Sequence, residues 1–200
     1  MSESSKHVYL WCDLETTGLD PDRCEITEIA TIITKGPTTG FEGIEAQETL
    51  IDLPGDTMWQ EGAYEMARDS GLLEELNNDG RGRSLSAVDR DLCQTLARFD
   101  RVYLAARNVG FERGFLEARM PDLADVLHYR AFDVTPLFMI APDLYDYDPD
   151  VEGTPHRAAF DIRRDLEYAR EFVRRYNGAF AAEANNPCLR TRTNKEQQPC

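Results

Sequence analysis

The sequence predicts an α/β domain, a sheet with helices on both of its faces, and two observations predict it. The chain opens with extended runs rich in β-branched and aromatic residues, HVYLWCD (7–13), ITEIATIIT (26–34) and FEGIEAQETLID (41–52). Helical spacings then alternate with two shorter extended runs, RVYLAA (101–106) and YRAFDVT (129–135). Strands and helices in that order layer onto one sheet.

The helices follow from spacing and punctuation. Residues 57–77 read as helical, with SGLLEEL as a second short helix opened by Ser70. Ser84 is positioned to cap a helix in which Leu85, Val88, Leu92, Leu96 and Phe99 recur on one face. VGFERGFLEARM (109–120) is a helix that stops before Pro121, and PLFMI (136–140) is a short one. The last helix is expected to start at Thr154-Pro155 and run to about Tyr176, with Ala159, Ile162, Leu166, Ala169, Val173 and Tyr176 as its apolar stripe. One domain over residues 1–177 is therefore expected, followed by a polar, disordered tail over 178–200.

Composition narrows the partners. The 200 residues carry 22 basic and 37 acidic side chains, a net charge of −15. That balance argues against a broad basic face gripping duplex nucleic acid. It leaves room for a small pocket where metal ions bring the positive charge. No apolar run is long enough for a membrane span, and the N-terminus lacks a basic segment followed by an apolar one. The five cysteines follow no metal-binding spacing. Reduced thiols in a cytoplasmic protein, or a bridge between Cys188 and Cys200, both fit.

Chemistry enters at LWCDLETTGLDP (10–21), where an apolar strand ends in two acids. Side chains two apart in a strand share a face, so Asp13 and Glu15 project together, roughly 6.6 Å apart along the chain. Two anions side by side repel unless a cation neutralises them. Hard divalent ions such as Mg²⁺ and Mn²⁺ prefer carboxylate oxygens. A solvated strand end before a turn is the alternative. Of the three histidines, His7 lies about 20 Å before Asp13 along an extended strand and His128 belongs to HYR. If a histidine serves as a base here, His156 is the natural candidate; otherwise it is an ordinary histidine at a helix start.

Three motifs in order, DLETTGL (13–19), NVGFERGFL (108–116) and HRAAFD (156–161), resemble the DEDDh class of 3′→5′ exonucleases. Within that class DSGLLEEL, FLEARMPDL, LHYRAFDVT and GTPH resemble the oligoribonuclease family, over roughly residues 8–177. The resemblance implies a ribonuclease-H-like mixed sheet flanked by helices on both faces. It implies two divalent ions, Mg²⁺ or Mn²⁺, held by Asp13, Glu15, Glu112 and Asp161, with His156 as the base that takes a proton from the attacking water. Leu19 would wedge against the terminal bases, and Thr16 and Thr17 would meet the 3′ end. Asn108 stands at the head of the second motif, and Tyr129 and Arg130 match residues that help hold the 5′ phosphate. A half-buried core aromatic is the alternative for Tyr129. The implied substrates are short single-stranded RNA or DNA oligonucleotides. The implied assembly is a homodimer, with no membrane and a cytoplasmic location.

Several positions depart from the family pattern. Glu112 stands where the family has Asp, which puts the geometry of the second ion in question. Ala67 replaces a histidine, Arg107-Asn108 replaces Asn-Ser, and Thr16 replaces a methionine as in DNA proofreading exonucleases. A DNA-directed exonuclease of the same fold, and a nucleic-acid-binding protein on a weakened nuclease, are therefore the competing readings. The acidic run from Asp143 to Glu152 either repels a long strand beside the cleft or is a solvated loop.

Overall fold

In the computed structural model, which describes residues 7–78, 80–145 and 156–184, five strands form one mixed sheet in the order β3-β2-β1-β4-β5. β1 (His7–Thr16) lies at the centre, antiparallel to β2 (Ile26–Thr34) and parallel to β4 (Arg101–Ala106). β3 (Gly43–Leu50) is the antiparallel edge beyond β2, and β5 (Phe132–Asp133) pairs with β4. The expected run at 129–135 thus contributes only a two-residue strand.

Alternation along β1 sorts the core into two layers. Val8, Leu10, Cys12 and Leu14 face one side, where they meet Val88, Leu92 and Leu96 of α3 (Leu85–Leu96) and Phe115 and Leu116 of α4 (Val109–Arg119). Trp11 faces the other side, packing with Ala158, Ile162 and Leu166 of α7 (Ala158–Ala184) and Phe138 of α6 (Thr135–Tyr145). Helices therefore cover both faces. The indole of Trp11 donates to Thr34 Oγ1 at 3.0 Å, so its polar atom is satisfied in the core.

Several helix ends differ from the sequence expectation, each for a physical reason. The 57–77 region splits into α1 (Glu61–Asp69) and α2 (Leu72–Leu76). Ser70 closes α1, and Gly71, with φ of 78°, takes the left-handed position that opens α2. Ser84 occupies the N-cap of α3, but its side chain makes no cap hydrogen bond. Pro121 does end α4, yet it also starts α5 (Pro121–Val126) as its first residue. Asp89 of α3 accepts from the Leu123 backbone at 2.8 Å, meeting a donor that the start of α5 leaves open. α7 begins at Ala158, not at Thr154-Pro155, and continues past Tyr176 and Gly178 to Ala184. Asp143 falls in α6. The rest of the acidic run from Asp146 to Glu152, Thr154, Pro155, Cys188 and Cys200 lie outside the described residues.

The late start of α7 has a cause in β2. Glu28 is 0% exposed, and Arg157 meets it with Nη2 at 2.7 Å from Oε1. The Ala158 backbone donates to the other oxygen of Glu28 at 2.9 Å. A carboxylate from the sheet thus caps α7, and Arg157 Nη1 reaches on to Glu75 of α2 at 2.8 Å. Removing one partner of a buried pair strands the other charge. Arg157→Ala is therefore expected to destabilise the fold by about 3–5 kcal/mol. Adding Glu28→Gln should recover much of the loss, and urea unfolding of the single and double variants checks both.

Candidate active site

β1 runs on past its last pairing with β4, which ends at Trp11↔Ala105, while β2 stays paired through Glu15↔Glu28. The two parallel strands part there, at the end of the sheet where open α/β sheets carry their ligands. Asp13 and Glu15 continue the Trp11 face of β1 beyond that point, toward the face that α7 covers. Asp161 comes from the first turn of α7. Carboxylate oxygens of Asp13, Glu15 and Asp161 all lie within 4.8 Å of one another. Three of the four acids named from sequence are thus brought together.

Glu112 is also in place, though outside that trio. It lies in the first turn of α4, which follows β4 through the turn at Asn108. It is 4% exposed, and its Oε2 has no hydrogen-bond partner. A buried carboxylate oxygen without a donor is costly, and a cation is the species that relieves it.

Electrostatics point the same way. Burial, with the charges of Asp161 and Asp165 added, pushes the Asp13 carboxyl up to about 8. Burial and then Asp13 push Glu15 up to about 9. Burial is also the main cause that takes Glu112 to about 9, and Asp13 adds to it. Without a cation these carboxyls hold protons at neutral pH. An all-oxygen set of clustered acids is the donor chemistry of a hard divalent cation, so the residues present fit one.

A pH dependence follows. For each raised acid the folded chain binds more protons than the unfolded chain between the ordinary carboxyl range and about pH 8–9. Stability therefore falls as pH rises through that window. In chelator, the melting temperature is expected to drop between pH 5 and 9. With Mn²⁺ present the drop should shrink, because the ion favours the deprotonated folded state. A chelated protein whose melting temperature climbs across that range would contradict this electrostatic account.

Thr16, Thr17 and Leu19 follow Glu15 at the acid end of β1, whereas Tyr129 and Arg130 follow His128, whose backbone pairs with Val102 near the start of β4. A bulge between Glu15 and Thr16 turns the chain out of β1. The Thr16 hydroxyl donates to the Gly18 carbonyl at 2.7 Å. Thr17 is fully buried and exchanges backbone and side-chain hydrogen bonds with Glu25 at 2.9 and 3.0 Å. Both threonine side chains are therefore committed to the turn. Leu19 projects from it, 75% exposed. Its backbone donates to Gln60 Oε1 at 3.0 Å, while Gln60 packs so closely on Gly18 that a Cβ there would lie 2.4 Å from its Cδ. Gln60 is a contact the sequence did not disclose, since it lies 41 residues from Leu19.

Asn108 adopts a left-handed backbone with φ of 59°, and its N–H donates to Thr135 Oγ1 at 2.8 Å. Tyr129 is 76% exposed, so it is no core aromatic; its ring lies 4.4 Å from that of His128. The Arg130 guanidinium sits over the Tyr129 ring, 5.3 Å from its centre. His156 is exposed, directly ahead of α7, with φ of 47°. Two site residues were missed. Asp165, one turn after Asp161 and thus on the same side of α7, is buried, and burial takes its carboxyl to about 6. Its i+4 spacing was the available signal. Arg164 ion-pairs with both aspartates, and its i+3 spacing from Asp161 was the available signal.

No protein-family model matches the chain. The oligoribonuclease of Salmonella typhimurium is 31% identical over 180 residues, covering 81% of this chain and 93% of that protein. That of Escherichia coli K12 is 32% identical over 184 residues, covering 84% and 96%. Oligoribonuclease of Tropheryma whipplei is 28% identical over 171 residues, covering 81% and 91%. In structure the chain is similar to Escherichia coli exonuclease I in complex with a dA13 oligonucleotide, with a TM-score of 0.64 at 16% identity. Exonuclease I of Methylocaldum szegediense gives 0.63, also at 16%. The chain spans 82% of itself but only about 40% of the exonuclease I length, so this likeness concerns the fold.

Proposed function

The chain belongs to the oligoribonuclease family, and we propose that it hydrolyses short single-stranded oligonucleotides, RNA before DNA, from the 3′ end to 5′-mononucleotides. The convergence of Asp13, Glu15 and Asp161 oxygens within 4.8 Å carries this reading. Two Mg²⁺ or Mn²⁺ ions held by Asp13, Glu15, Glu112 and Asp161 would stabilise the charge on the attacking and leaving oxygens of an in-line displacement.

The chain's own residues do the rest. His156 accepts the proton of the water whose oxygen bonds to phosphorus as the bond to the leaving 3′ oxygen breaks. Leu19, exposed at the turn, packs against the terminal bases, and the backbone at Thr16 and Thr17 meets the 3′ hydroxyl end. Asn108, Tyr129 and Arg130 would help hold a short substrate's 5′ phosphate, a role suited to a guanidinium. The exposure of Tyr129 supports a contact beyond the single chain, and we assign it to a second copy in a homodimer. Free thiols at Cys12, Cys24 and Cys93 support a reducing, cytoplasmic setting. Among the described residues no helix is long and apolar enough to cross a membrane.

One assay tests the activity. RNA of two and of seven nucleotides, and a seven-nucleotide single-stranded DNA, are each incubated with Mg²⁺ and with Mn²⁺. Fastest cleavage of the dinucleotide supports the proposal. A preference for the DNA favours the reading that Thr16 suggests, a DNA-directed enzyme on the same fold. Intact substrates under both metals would sink the enzymatic reading.

A further inference from the structure

The site contains a cation of its own. Arg164 Nη1 lies 2.7 Å from Asp161 Oδ1, and its Nε and Nη2 each lie 3.2 Å from Asp165 Oδ1. The side chain is mostly buried against the two aspartates, yet it keeps an exposed edge. Asp161 belongs to the trio whose oxygens converge, and the positive charge of Arg164 also acts on Asp13. A guanidinium and a divalent ion cannot both take the same carboxylate lone pairs at full strength.

From this geometry we infer that Arg164 is a positioning residue that holds Asp161 when metal is absent and must yield it when metal binds, so that Arg164 sets the metal affinity of the site. The inference rests on Asp161 being a ligand, as proposed above. Three properties of Arg164 suit the role. It sits three residues beyond Asp161 on the same helix, close enough to pair without any backbone movement. Its planar fork spans two carboxylates, which a lysine does less well. Asp165 gives it a second anchor, so it need not leave the site when it lets go of Asp161. The arginine thereby offsets the mutual repulsion of the acids in the metal-free chain. It weakens metal binding by the same interaction.

An ordinary structural arginine and a competing one predict opposite signs. If Arg164 only supports the fold, Arg164→Gln loosens the site and weakens both stability and metal binding. If it competes, Arg164→Gln lowers the melting temperature in chelator but tightens Mn²⁺ binding, by roughly tenfold for one charge removed at contact distance. Binding is read as free Mn²⁺ by electron paramagnetic resonance, and unfolding by calorimetry, without any activity measurement. Arg164→Lys, which keeps the charge, should bind Mn²⁺ within about threefold of the unaltered protein. The double variant R164Q/D165N leaves no stranded buried charge, and it should still bind more tightly than the unaltered chain because Asp161 is free.

Equal or weaker Mn²⁺ binding by both R164Q and the double variant overturns the inference while leaving the metal site standing. Absence of Mn²⁺ binding by the unaltered protein, or binding that survives Asp161→Asn undiminished, overturns the ligand assignment itself, and the inference with it.

Discussion

Asp13→Asn is expected to leave turnover at least ~10³-fold below the unaltered enzyme at saturating Mn²⁺, since the lost charge stabilisation is several kcal/mol. The reason lies in position. Asp13 sits at the point where β1 has parted from β4, and its oxygen converges with those of Glu15 and Asp161. Its charge also reaches Glu112. Asp13 is thus connected to every other member of the set. An amide of nearly the same shape removes the charge and keeps the packing. At pH 9, above the value to which burial pushes Asp13, the chelated variant should melt no lower than the unaltered protein, because one of several acids that repel once deprotonated is gone. That opposition distinguishes a catalytic loss from a folding defect. Normal turnover in the variant would remove Asp13 from the site. Should activity fall together with the melting temperature in chelator, the effect would belong to the fold.

Legibility followed distance along the chain. β1 and β2 could be read because period-two alternation and β-branched composition are local signals. The same alternation put Asp13 and Glu15 on one face, and the structure agrees. Helix ends were read less well, because partners far away decide them. Pro155 suggested where the last helix starts, but Glu28, 130 residues away from Ala158, fixes the start there. Pro121 stops α4 as its sequence position predicts, and it starts α5 as well, because Asp89 on another helix supplies an acceptor for the Leu123 N–H. In the site, Glu112 was visible as a motif residue, while its buried, partnerless oxygen needed coordinates. Gln60 was invisible for the same reason: it acts through a contact 41 residues away that no local pattern marks.

His156→Ala should slow turnover by ~10²–10⁴ while leaving Mn²⁺ binding unchanged. The histidine lies ahead of α7 with φ of 47°, a left-handed backbone that costs a non-glycine residue about 1 kcal/mol or more. Such strain persists only when the surroundings hold it. Here the next residue, Arg157, is pinned by Glu28 and Glu75, so the backbone carrying His156 has little freedom. The exposed ring therefore starts from a fixed point five residues before Asp161. A base must be free of its proton to accept another, so the rate should rise with pH along the acid limb that the base imposes. At saturating metal the clustered acids are held deprotonated and drop out of the profile. What remains of the acid limb then reports the base. Loss of that limb in the variant supports His156 as the proton acceptor. A profile of unchanged shape, at whatever rate, would hand the role to another group and leave His156 as a helix-start residue held in an uncomfortable turn.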